Sequence, residues 1–284
     1  AGGGVTLDGT VDTNGGDFTI NTPGNVTQSA AFTAGALSLL GGGSFTLTNA
    51  GNSFASLTAT ATTASLVNSN ATTSFGTVST TGAFTFDTTG TVTQAANATL
   101  SATTVTLLGT GGSYTLANAG NTIASLPGET GPISLTNAAA LSVGPVTTSG
   151  AGGLTVATSA STLSVVDAVN TNGNALTLSA TGALSTSGAG TLSAGTTSLS
   201  GSGITIGAAV TTSGETTLSA GAGGITVNAA IAAGADALTL SSTGGAVTLN
   251  TGGTLSAGTT SLSGSSIALG ATVMAGSSAL TPTS

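Results

Sequence analysis

The chain has 284 residues and a formal net charge of −8, with no Lys, Arg, His or Cys and only 3% charged residues. Phosphate backbones and anionic headgroups are held by Lys and Arg, so neither nucleic acid nor an anionic membrane surface is an expected partner, and no opposite-charge side-chain pair or disulfide can form. Disorder goes with low hydrophobicity and high net charge, whereas 39% of this chain is hydrophobic and its mean hydropathy is +0.47. It is expected to fold on apolar burial and hydrogen bonds.

The opening "AGGGVTLDGT" carries no basic-then-apolar leader and reads as a mature or excised piece of an exported protein. Asp8, Asp12 and Asp17 form the one local cluster of acids. A calcium site is the sharp reading, but hard cations take six to eight oxygens and the Gly-Gly-x-Gly-x-Asp calcium repeat is missing. Solvated carboxylates are therefore expected, with no metal and no cofactor. "AAFTAGALSLL" at 30–40 is too short and too broken by Thr, Ser and Gly to span a bilayer, so no membrane insertion is expected.

Repeats then take over. "FTINTPGNVTQ" from Phe18 answers "FTFDTTGTVTQ" from Phe84, and "FTLTNAGNSFASL" from Phe45 answers "YTLANAGNTIASL" from Tyr114, at offsets of 66 and 69 in the numbering. Three rungs of about 22–23 residues would give these intervals. The "NAGN" elements place Asn49 and Asn52 in one copy and Asn118 and Asn121 in the next. Asn tolerates left-handed backbone and bonds its own chain, and stacked Asn can form ladders; a glycan contact is the functional alternative. Asn25, Asn70 and Asn97 lie in Asn-x-Ser/Thr sequons, which a Thr-rich chain produces by chance. Pro127, Pro132 and Pro145 are expected outside the strand cores.

In the second half, Leu141, Leu163, Leu184, Ile204, Ile225, Val247 and Ile267 recur at steps of 22, 21, 20, 21, 22 and 20, most followed two residues on by another apolar side chain. Positions i and i+2 of a strand share a face. "GTLSAGTTSLSGS" occurs at 190–202 and again at 253–265, an offset of 63 in the numbering, which is three of these steps. In it Leu192 and Leu199 are candidate core contacts, while Gly195 and Gly201 are candidate corners. Glu215 and Asp236 lie 21 apart, so stacking would bring them to adjacent rungs, in Gly-flanked turns on the surface. Glycoside hydrolysis needs a paired acid and base. With the other acids scattered and no His, Lys or Arg, no catalytic residue is assigned and no enzyme is expected. Thr-rich runs such as "SLTATATT" suggest an outward hydroxyl array, the basis of an ice-binding alternative. Thr is also a good strand former, and the "ITI", "ITV" and "IAL" rungs offer only one outward position each.

A copy recurring at roughly 21 residues, with short strands and Gly-rich corners, is the signature of a β-solenoid. The expected fold is all-β, a right-handed parallel β-helix with rungs of about 20–23 residues. Residues 1–284 are read as one continuous solenoid, with longer-period superrepeats over 1–135 and shorter ones over 136–284. The segments "FTLTNAGNSFASLTATATTASLVNSN" and "YTLANAGNTIASL" resemble the repeats of filamentous-haemagglutinin-like large exoproteins, which are bacterial secreted and surface adhesins. That resemblance implies a β-helical shaft, an extracellular or cell-surface location, and a host or cell-surface glycan or protein as partner. A non-catalytic structural shaft or matrix element is the expected function. Neither end of the sequence looks like a charged or helical cap, so the chain is expected either to be a fragment of a longer one or to self-associate, end to end or laterally. A self-stacking filament subunit and an ice- or glycan-binding solenoid are the alternatives, and a polysaccharide-active enzyme ranks last.

Overall fold

A computed structural model describes residues 3–282. Among these residues there is no helix, and the 33 strands form parallel β-solenoid turns, about 13 in all. The chain divides into two compact units, one ending at Ala138 and one beginning at Ala139.

In the first unit one inward column runs Val5, Val26, Phe45, Ala64, Phe84 and Val105, at steps of 21, 19, 19, 20 and 21. Strand alternation sends the residues between these core positions outward, so Thr6, Thr27, Thr46, Ser65, Thr85 and Thr106 form a hydroxyl column beside it. Each rung has three sides. In one rung they are Asn25–Gln28 and the two halves of the long strand Phe32–Leu40. That strand bends because its first half pairs with Val11–Asp12 and its second with Asp17–Asn21, which a turn separates. Gly35 sits at the bend and donates its N–H to the Gly16 carbonyl at 2.8 Å. A Cβ there would run into the carbonyl of Gly15, so only glycine lets the two rungs approach.

All seven Phe and the single Tyr of the chain lie in this unit. Phe18, Phe32, Phe54, Phe86 and Tyr114 follow one another at ring-centroid distances of 5.4, 5.8, 6.1 and 6.4 Å. Such ring pairs add roughly 0.5–1.5 kcal/mol each beyond area burial.

The register corrects the expected length of the superrepeat. Three rungs on from Val26, through Phe45 and Ala64, stands Phe84. The sequence counterpart of Val26 is Val92, one side further along, in the strand Thr91–Gln94. Likewise Phe45 leads through Ala64 and Phe84 to Val105, while its counterpart is Tyr114 on the following strand. Phe18 leads through Leu37 and Leu57 to Phe75, while its counterpart is Phe84. The rungs are shorter than the sequence intervals imply, so the stretches from Phe18 to Phe84 and from Phe45 to Tyr114 each span three rungs plus one side.

In the second unit the expected ladder stands in register at every step, Leu141–Leu163–Leu184–Ile204–Ile225–Val247–Ile267. The two copies of "GTLSAGTTSLSGS" occupy the same place three rungs apart. Leu192 leads through Val210 and Ile231 to Leu255, and Leu199 through Leu218 and Leu240 to Leu262. Leu192 and Leu199 are buried. Gly195 lies in the bend between Leu192–Ala194 and Thr197–Gly201, and Gly201 ends that second strand.

The prolines differ in part from expectation. Pro132 falls between strands, but Pro127 and Pro145 lie inside the long strands Thr122–Thr130 and Leu141–Thr148. Both strands cover more than one side. Pro145 follows a cis bond from Gly144 and sits between the half that pairs with Leu163–Val165 and the half that pairs with Val169–Asn170. A residue without an N–H is tolerated at such a bend.

Candidate functional site

The polar side chains of the first unit are concentrated at its corners, and several point inward. Gln28 occupies an inward position, in register with Leu7. Its carboxamide pairs reciprocally with that of Asn52: Gln28 Nε2 donates to Asn52 Oδ1 at 2.8 Å and Asn52 Nδ2 donates to Gln28 Oε1 at 2.8 Å. Asn52 is fully buried; it also accepts from the Phe32 N–H at 3.2 Å and donates to the Leu47 carbonyl at 3.0 Å. The second copy repeats the device. Asn121 accepts from Gln94 Nε2 at 2.7 Å and from the Leu100 N–H at 2.8 Å. It donates to Gln94 Oε1, Leu116 O and Thr136 O at 3.0, 3.1 and 3.0 Å. Every lone pair and proton of these amides has work in the corner.

Asn49 and Asn118 open the same corners. Their carbonyls accept from the Asn52 and Asn121 N–H groups at 3.1 and 3.3 Å, and Asn49 Oδ1 accepts from Gly51 N–H at 2.9 Å. The "NAGN" elements are thus built as corner closures, with no side-chain amide of Asn52 or Asn121 turned to solvent. A second pair, Asn68 and Asn137, grips neighbouring backbone. Asn68 accepts from the Phe54 N–H and donates to its carbonyl at 3.0 and 2.9 Å; Asn137 does the same to Ile123 at 2.8 and 2.9 Å. Gln28, Gln94, Asn68 and Asn137 escape a reading by alternation, which expects polar side chains to point outward. Their recurrence at the superrepeat offset is the signal that finds them.

The acids are distributed over the surface. Asp8, Asp12 and Asp17 are exposed; Asp8 accepts from Ser29 Oγ at 3.2 Å, and Asp12 caps a turn by accepting from the Asn14 N–H at 2.8 Å. Among the described residues no three of His, Cys, Asp and Glu converge on a point that suits a metal ion. Glu215 and Asp236 do come to one corner, each just before paired strands of successive rungs, and both are exposed. Glu215 borders an open depression of about 280 Å³ with Thr177, Ser198 and Thr217. Asp87 and Glu129 share an outward column with Leu108 between them and border a depression of about 520 Å³. Two rungs separate that pair by roughly 10 Å. Their spacing in the sequence, twice the rung period, is the signal that finds them. Of the sequons, Asn25 and Asn97 are exposed and Asn70 is half-buried.

Tyr114 is the one buried ionisable group among the described residues. Its hydroxyl donates to the carbonyls of Leu108 at 2.6 Å and Phe86 at 3.1 Å. Burial, with the nearby Asp87 carboxylate, pushes the phenol well above its ordinary value.

The hydroxyl surface of the second unit is more regular than the "ITI" rungs suggest. On the side that precedes them in the chain, each strand has two outward positions. One column runs Thr155, Thr177, Ser198, Thr217, Thr239 and Ser261, and the other Ser179, Ser200, Ser219, Ser241 and Ser263. Ser200 Oγ donates to Ser179 Oγ at 3.0 Å. Along the side the grid repeats at about 4.8 Å between rungs and about 6.7 Å between the two columns.

A family described as repeats of unknown function (DUF5649) matches residues 1–61 and 61–126, so the first unit is similar to two copies of that repeat. No curated protein and no solved structure matches the chain.

Proposed function

We propose that the chain is a non-catalytic structural segment, the shaft of a secreted or surface-exposed bacterial adhesin or matrix protein. The observation that carries this reading is the register. Within each unit the sides of the interior rungs pair in parallel with the rungs above and below, and the inward positions are mainly apolar, with buried Thr and hydrogen-bonded amides among them. Pulling along such a stack loads the backbone ladders on all three sides of a rung together. The outward positions are mainly Ser and Thr, which keep the surface wetted without charge. The adhesin setting and the extracellular location come from the resemblance of the "NAGN" segments to large exoprotein repeats. Negative-stain imaging of the purified chain tests the shaft: elongated particles support it and compact globules overturn it. Labelling of intact cells against the chain tests the location, and signal confined to permeabilised cells would refute it.

The two hydroxyl columns favour a second reading, an ice- or glycan-binding face on the second unit. An uncharged grid of hydroxyls at fixed spacing can order water or a sugar lattice. Thermal hysteresis, or retention on insoluble polysaccharide, that is lost when Ser198 and Thr217 are changed to Lys would establish it. Absence of both activities in the unaltered chain would dismiss it.

A further inference from the structure

The two copies of the repeat in the first unit differ at one corner. The N–H groups accepted by Asn52 and Asn121 are those of Phe32 and Leu100, so these two residues occupy equivalent places. Phe32 stands four residues after Gln28, but Leu100 stands six after Gln94. The second corner therefore carries two extra residues. They fold as a turn in which the Ala98 N–H donates to the Ala95 carbonyl at 3.1 Å. Ala98 is buried, while Asn97 is exposed with φ 62°, a conformation that Asn adopts more readily than most residues with a Cβ. A buried methyl anchors the turn, and an amide is presented beside it.

The neighbouring amide is released as well. In the first copy Asn49 is held at both ends, with Nδ2 on the Ser29 carbonyl at 3.1 Å and Oδ1 under the Gly51 N–H at 2.9 Å. The side chain of Asn118, its counterpart, keeps one donation to the Ala95 carbonyl at 3.5 Å, the outer limit of a hydrogen bond. The side chain of Asn97 makes no hydrogen bond among the described residues. Both amides border an open depression of about 310 Å³. Thr93 and Thr115 border it too, paired in register on adjacent rungs and exposed. Their strands fix both hydroxyls in advance, which lowers the ordering cost of binding. Ala96 and Ala117 add apolar surface.

Chemistry narrows the ligand. No acid borders the depression and the chain has no Lys, Arg or His, so a metal ion finds no carboxylate there and a phosphate no cation. Amides and hydroxyls both donate and accept, which matches the ring hydroxyls of a sugar, and the alanine methyls suit its C–H face. The volume lies at the low end for small-ligand sites.

We infer that this corner binds an uncharged sugar unit of a glycan, with Thr93, Asn97, Thr115 and Asn118 as its hydrogen-bonding residues. This goes beyond the shaft reading, under which the surface need bind nothing, and it involves no residue of the second unit's hydroxyl columns.

The test is binding of the full chain to an array of neutral and sialylated mammalian-type glycans and neutral bacterial polysaccharides. The unaltered chain is expected to bind neutral glycans, the mammalian arm marking a host surface as their source and the bacterial arm a cell's own matrix. Asn97→Gly keeps the left-handed turn without the amide, and Thr93→Val keeps the strand without the hydroxyl. Each is expected to weaken binding about 3–10-fold. Thr27→Val, at the equivalent place in the first copy, is expected to leave binding unchanged, as is Ser198→Lys combined with Thr217→Lys. Failure of the unaltered chain to bind any neutral glycan, preference for sialylated ones, or unchanged binding in both Asn97→Gly and Thr93→Val would overturn the proposal. Loss in the double Lys variant alone would move the glycan to the second unit and overturn it too. Far-UV circular dichroism identical to the unaltered chain shows that each variant is folded.

Discussion

Replacing Asn121 with Ala is the most direct test of how the first unit is held together. The substitution leaves the N–H of Leu100 and the carbonyl of Leu116 without their partner, and both residues are almost completely buried. An orphaned buried backbone group costs about 1–3 kcal/mol, so the two together predict a loss of about 2–6 kcal/mol. The carbonyl of Thr136 and the amide of Gln94 are less deeply placed and reach water at smaller cost. The control is Asn118→Ala, three residues away at the same corner. It removes the donation from Asn118 Nδ2 to the Ala95 carbonyl at 3.5 Å, keeps the backbone N–H of Asn118 on Gln94 Oε1, and should cost no more than about 1 kcal/mol. Denaturation is followed by tyrosine fluorescence, because Tyr114 is the only Tyr and the chain has no Trp; the signal therefore reports on the strand that carries Leu116. Repeat arrays need not unfold in one step, so the quantity compared is the midpoint of this local transition. Equal midpoints for the two variants would refute the view that the buried amide, and not the turn sequence, closes the corner.

Tyr114 makes a prediction on pH. Its phenol is raised in the folded chain, so the neutral form stabilises the fold below the ordinary phenol value of about 10, and that contribution is lost as pH climbs towards the folded value. No Lys, Arg, His or Cys is present to titrate in the same interval; alkaline melting should therefore show a loss that Tyr114→Phe removes, and the same loss in the variant would contradict the assignment. Gly195→Ala should destabilise the second unit by about 1–3 kcal/mol through overpacking, since the added Cβ meets the Gly173 carbonyl; an unchanged urea midpoint would show that the bend can widen. The hydroxyls of Thr197 and Thr260, equivalent residues of the two "GTLSAGTTSLSGS" copies, are buried without a partner. Thr197→Val should thus be neutral or stabilising by up to about 2 kcal/mol, and a clear drop in the melting midpoint would refute this.

The second unit was legible almost residue by residue. Its inward positions are mainly aliphatic with buried Thr among them, its Leu141-to-Ile267 ladder keeps a nearly constant step, and its superrepeat is a whole number of rungs, so that equal sequence means equal place. The first unit gave up its fold but not its phase. Phe45 and Tyr114 are plainly counterparts in sequence, and nothing in either residue says that they stand on different sides of the rung. Side lengths there depend on bends such as the one at Gly35, where a contact between backbones sets the geometry and leaves only a glycine in the sequence to mark it. The inward amides were hidden for a related reason. Alternation assigns Gln28 by its polarity, whereas its place is fixed by Asn52, 24 residues away.

The extra side in the first unit's superrepeat couples copy number to direction. Where a repeat is three whole rungs, as in the second unit, duplicating it lengthens the stack and leaves each surface feature on the face it had. Where it is three rungs and a side, a duplicate faces one side further round, and only the fourth copy in a row looks the same way as the first. A genetic gain or loss of one such repeat would therefore re-aim a surface feature as well as change the length, and a recognition site borne on it would be dealt out in turn to all three faces.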